Sequence, residues 1–131
     1  MSIRVRGSFN VKITAQPADA YADGAAMSRM ALDKQFHGDL QASSKGQMLT
    51  AATTEKGSAG YVAIERVTGT LRGRKGSFML QHSGLMNRGR PDLKVIVVPD
   101  SGTDELTGLT GTMNIIVADG RHSYDFEFSL P

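Results

Sequence analysis

The sequence predicts an all-β protein: eight antiparallel strands closed into a β-barrel, forming a single domain over residues 1–131. Three observations predict it. Apolar residues recur with a period of two along most of the chain. Turn signals rich in Gly, Asp, Asn and Pro separate the alternating runs at short intervals. No segment carries the 3.6-residue apolar period of a helix. Eight antiparallel strands in so small a domain favour closure, because a barrel leaves no unpaired edge. The alternative is an antiparallel β-sandwich.

The first strand is IRVRGSFNVKIT, with Ile3, Val5, Phe9, Val11 and Ile13 facing inward and Arg4, Arg6, Ser8, Asn10 and Lys12 outward. Gly7 falls on the inner face, where a missing side chain permits a bend or a close approach. AQPADAYADGAA breaks the pattern and reads as a loop. Alternation resumes at Met27 and runs to Leu40, with Met30, Leu32, Phe36 and Leu40 on one face. A third, weaker strand is expected from Gln47 to Glu55. GYVAIERVTGTLRG, GSFMLQHSG, LKVIVVP, GTMNIIVA and HSYDFEFSLP complete the set. The predicted turns are SSKG, EKGSAG, RGRKG, NRGRPD, PDSGTDE and ADGR.

Composition sets the bounds. A domain of 131 residues buries roughly two-thirds of its unfolded surface, so it needs no covalent staple, and it has no cysteine. A cysteine-free chain suits a reducing compartment. MSIRVRGSFNVKI has no apolar h-region, and no apolar run approaches the ~18 residues of a membrane span. A soluble, cytoplasmic protein with no membrane partner is expected. The net charge is only +2, but Arg72, Arg74, Lys75, Arg88, Arg90 and Lys94 face Asp92 alone in their stretch. No aromatic residues interleave with them as a base-stacking platform requires. They are read as a solvated hairpin rim, without a nucleic-acid partner.

Strand parity identifies candidate site residues, because an apolar row fixes what lies beside it. The row Phe78, Leu80 carries His82 inward. The row Phe126, Phe128, Leu130 carries His122 and Tyr124 inward, and the row Met30, Leu32, Phe36 carries Lys34. In YVAIERV the parity is open: either Tyr61, Ala63, Glu65 and Val67 point in, or Val62, Ile64, Arg66 and Thr68 do. A buried lysine needs a counter-charge, and Glu65 is the obvious one. The inner polar set is therefore Lys34, Tyr61, Glu65, His82, His122 and Tyr124. It either satisfies itself in a filled barrel or lines a cavity for a small, partly apolar ligand. In the second case Glu65 and His82 are the acid–base candidates. Lys34, Tyr61, His122 and Tyr124 are then ligand-binding candidates.

Other chemistries lack their residues. His37 is predicted to point outward, so no three-histidine metal site forms, and no metal is expected. No G-x-S-x-G elbow or P-loop is present. PDSGTDEL lacks the order of a calcium loop. No cofactor is expected.

GSAGYVAIERVTGTLRGRKGSFMLQH, VVPDSGTDELTGLTGTMNI and HSYDFEFSLP resemble a family of small bacterial proteins known as a domain of unknown function. The resemblance runs from GSFNVKI to the final LP. It implies a barrel like that of allene oxide cyclase, which cyclises a hydrophobic epoxide inside such a barrel, but it supplies no catalytic residues. It also implies a homo-oligomer, for which the outward Met79, Ile96, Val98 and Ile116 are candidate contacts. Three functions follow as expectations: a ligand-binding barrel, a cofactor-free isomerase or cyclase, and a structural oligomer. The enzymatic expectation requires Glu65, His82 and Tyr124 to converge on one cavity.

Overall fold

In the computed structural model, which describes residues 2–17 and 26–131, eight strands close into one antiparallel barrel in chain order. They are β1 (Ile3–Gln16), β2 (Met27–Phe36), β3 (Leu40–Ala52), β4 (Ala59–Leu71), β5 (Arg74–Asn87), β6 (Arg90–Val97), β7 (Thr110–Ala118) and β8 (Arg121–Ser129). β1 closes the barrel against β8, with Val5 opposite Phe126. The sandwich alternative is thereby excluded. Among the described residues no helix is long and apolar enough to cross a membrane.

Two element boundaries differ from expectation. The second strand ends at Phe36 rather than continuing to Leu40, and the chain turns at His37–Asp39 with Gly38 at φ +107°. SSKG is not a turn; it lies inside β3. Both differences have causes far away in sequence. The Tyr124 hydroxyl accepts a hydrogen bond from Leu40 N–H (3.1 Å) and donates to the His37 carbonyl (2.8 Å), so β8 pins the β2–β3 turn. Gly7 provides the room: a Cβ there would lie 2.5 Å from the Tyr124 hydroxyl. Ser44, read as a turn residue, points inward because a buried carboxylate needs its hydroxyl. Of the predicted AQPADAYADGAA loop, Ala15 and Gln16 belong to β1, and residues 18–25 lie outside the described residues.

The barrel has two unequal halves. Toward the β2–β3 and β4–β5 turns its interior is filled. Phe36, Phe78, Phe126 and Phe128 pack with Leu40, Leu71 and Leu80, and Leu106 and Leu109 from the β6–β7 connection close that end. Phe78 and Phe126 stack with centroids 5.8 Å apart. Toward the β3–β4 and β5–β6 connections the inward row becomes less covered: Val5 and Phe9 are buried, but Ile13 is 52% exposed. The same happens on β7, where Met113 is buried and Val117 is exposed. The basic residues divide between the two ends. Arg72, Arg74 and Lys75 flank the β4–β5 turn, whereas Arg88 and Arg90 flank the β5–β6 turn, roughly 40 Å away along β5.

Candidate functional site

An ionic cluster stands where the filled half meets the open half. It is built by four neighbouring strands. β4 resolves the open parity in favour of Tyr61, Ala63, Glu65 and Val67, and Glu65 is fully buried. Lys34 of β2 (6% exposed) reaches Glu65 Oε2 with its ammonium at 2.8 Å. His82 of β5 (3% exposed) places Nε2 2.5 Å from the same oxygen. Ser44 of β3 donates to Oε1 at 2.6 Å. The Lys34 ammonium also lies over the rings of Phe9 and Phe36, at 5.1 and 5.8 Å from their centroids. A charge so far from water persists only with this degree of pairing.

Backbone packing fixes the carboxylate. Gly46 pairs with Glu65 across β3 and β4. A Cβ at Gly46 would lie 2.7 Å from Glu65 Cα and 2.3 Å from the Ile64 carbonyl oxygen. Burial alone pushes the Glu65 carboxyl up. The His82 hydrogen bond and the Lys34 charge outweigh burial and hold it at about 2. Glu65 is therefore ionised at neutral pH, and His82 Nε2 must carry the hydrogen that lies between them.

Tyr61 links the cluster to the open half. Its ring folds across Gly84, its cross-strand partner, where a Cβ would come within 2.3 Å of Cε1. Its hydroxyl lies 3.4 Å from His82 Nδ1. Burial, with a contribution from the Glu65 charge, raises the phenol above its ordinary 10.0. Tyr61 also lines a cleft of about 550 Å³ at this end of the barrel. The rest of that lining is mainly apolar, including Met48, Ala59, Leu85, Met86 and Leu93. Of the six candidate residues, Tyr61 alone lines this cleft; Glu65, His82 and Lys34 stand behind it.

The structure thus brings Lys34, Tyr61, Glu65 and His82 together and leaves two candidates out. Tyr124 spends its hydroxyl on the β2–β3 turn backbone. Burial raises this phenol too, against the opposing effect of its bond with Leu40. The convergence of Glu65, His82 and Tyr124 required for the enzymatic expectation is therefore not met in that form. His122 lies against the Phe9 ring, with centroids 5.3 Å apart, outside the hydrogen-bonded cluster. Sequence reasoning missed Ser44, because its polar neighbours suggested a turn. A strand begun at Leu40 would have placed Leu40, Ala42, Ser44 and Gly46 on the inner row. Among the described residues no group of three or more His, Cys, Asp or Glu side chains could hold a metal ion.

Comparison with known proteins gives a family and a close structural relative. A crystal structure of a protein of unknown function from the DUF3224 family of Shewanella oneidensis MR-1 superposes with a TM-score of 0.94. That protein is 52% identical, and the match covers 100% of this chain and 99% of the other. No curated protein matches the chain. The family described as protein of unknown function (DUF3224) matches residues 5–128, and the chain belongs to that family.

Proposed function

We propose that this barrel binds a small, partly apolar ligand in the cleft at its open end. The observation that carries the reading is the division of the interior: one half is filled by aromatic side chains, and the other opens onto an apolar cleft with Tyr61 at its wall. Convergent polar groups behind an apolar lining are the usual form of a small-molecule site. The volume, about 550 Å³, is in the range of such sites. The reading also borrows, by analogy of fold alone, from the barrel of allene oxide cyclases, whose interior holds an apolar substrate. Fluorescence titration with 8-anilinonaphthalene-1-sulfonate tests it. The wild type should bind the dye, and Ala59→Trp, which fills the cleft from an exposed position, should abolish binding without loss of folded structure. Equal binding by both proteins would overturn the proposal.

A second reading, self-association, is favoured by the outer surface of β3–β6. Leu49 pairs with Val62, and Ile64 lies one Gln81 away from Ile96, all about half exposed. Directly across from them stand the uncharged Gln47, Gln81, Ser83 and Thr112, while the charged Arg66 and Lys94 border the patch. A charge-depleted centre of this kind is typical of subunit interfaces. Of the candidate contacts, Ile96 is exposed on this face and Ile116 is exposed on β7, whereas Met79 and Val98 are partly covered. We propose a second copy of the chain as the occupant. Sedimentation velocity should show an oligomer that Val62→Glu dissociates; a monomer at every concentration would refute it.

A further inference from the structure

We propose that Tyr61 is the group that exchanges a proton with the ligand, that His82 relays this proton, and that Glu65 is the residue that positions the relay. The inference rests on the ligand-binding reading above and adds a reaction type to it.

The geometry is a linear chain of carboxylate, imidazole and hydroxyl. Glu65 Oε2 meets His82 Nε2, and His82 Nδ1 meets the Tyr61 hydroxyl. The ionised carboxylate claims the Nε2 hydrogen, so in the neutral imidazole Nδ1 is the acceptor that faces Tyr61. The same logic orders a carboxylate–histidine–serine triad, where the carboxylate holds the imidazole in one tautomer and stabilises the imidazolium that forms. Here a phenol takes the terminal place. The Tyr61–His82 separation of 3.4 Å is long for a resting hydrogen bond, and catalytic contacts of this type tighten when ligand is bound.

Among the described residues, the titratable groups bonded to His82 or to its Glu65 partner form this constellation. β4 contributes Tyr61 and Glu65, and β2 contributes Lys34. β6 contributes only the apolar Val95, directly across from His82. Lys34 offsets the Glu65 charge at rest, so the buried cluster is neutral with His82 neutral. A proton arriving at His82 makes it cationic, and a negative charge developing on the ligand in the adjacent cleft compensates that.

The substrate class is a compact apolar molecule with an acidic C–H beside an electron-withdrawing group. Its C–H proton passes to the Tyr61 oxygen as the Tyr61 proton passes to His82 Nδ1. The C–H electron pair becomes the π bond of an enolate. Return of the proton to a different carbon completes an isomerisation with no oxidant, reductant or co-reactant.

The test uses 5-nitrobenzisoxazole, an apolar reporter of proton abstraction. Loss of its C3 proton forms a nitrile as the ring N–O bond breaks, and the coloured 2-cyano-4-nitrophenolate carries the charge. Wild type should turn the probe over. Tyr61→Phe and His82→Gln should each lower kcat about 10²-fold, with KM changed by about threefold or less. Ring 15N spectra should show His82 protonated at Nε2 and bare at Nδ1, and Glu65→Gln should disturb that tautomer. A Tyr61→Phe variant with wild-type kcat, or a hydrogen on Nδ1 at rest, overturns the relay and leaves ligand binding intact. Absence of both dye binding and competition by the probe overturns the ligand-binding reading, and the relay with it.

Discussion

Glu65→Gln removes one charge from the cluster and preserves its volume, so its effect can be worked out from the contacts. Three donors converge on the wild-type carboxylate, from Lys34, His82 and Ser44. An amide has one acceptor oxygen and presents two donors of its own, so at least one of the three donors faces an N–H group. The ammonium of Lys34 then stays buried without a counter-charge. Its remaining support is the faces of Phe9 and Phe36, a compensation of about 1 kcal/mol. Stranding one partner of a buried pair costs about 3–5 kcal/mol. A net loss of about 3 kcal/mol is therefore expected, lowering Tm by roughly 10 °C in a chain of this size. Urea denaturation reads it directly. Adding Lys34→Met should recover about 2 kcal/mol, because the stranded charge is then gone. A loss below about 1 kcal/mol, or a double variant whose cost is the sum of the two single costs, would refute the reasoning.

Three further outcomes follow from the same contacts. Glu65 titrates at about 2 when folded against 4.5 as its ordinary value, so the unfolded chain takes up the proton first as pH falls. Its contribution is present in full above about pH 4.5 and is lost as pH falls toward 2, about 3 kcal/mol in total, a pH dependence that denaturation of Glu65→Gln should lack. Gly46→Ala should cost about 1–3 kcal/mol in thermal denaturation, since its Cβ meets the β4 backbone rather than a movable side-chain tip. Tyr124→Phe should cost about 1–3 kcal/mol by leaving Leu40 N–H and the His37 carbonyl without their shared partner, and should leave dye binding in the cleft unchanged.

Parity made much of this architecture legible. His82, Lys34 and Tyr124 could be placed inside because each continues an unambiguous apolar row, and the structure buries all three. YVAIERV could not be resolved in isolation, because both of its faces carry apolar residues and one charge. Its parity is decided by partners on β2, β3 and β5. SSKG misled for a related reason: Ser44 and Gly46 are there to accommodate Glu65, 21 and 19 positions later in the chain, and local composition cannot show that. Parity also reports facing without height along the barrel. Tyr124 and Tyr61 both face inward, yet one is sealed against a turn in the filled half and the other lines the cleft.

The most direct test of the central claim is methyl NMR of protein labelled at its methionines. Met48 and Met86 line the cleft, Met113 lies in the filled core, and Met79 faces outward from β5. On titration with 8-anilinonaphthalene-1-sulfonate, the Met48 and Met86 methyls should shift together along one saturable curve, with Met113 and Met79 unmoved. Shifts confined to Met79, or none at Met48 and Met86 while the dye is bound, would contradict a ligand site in the open half of the barrel.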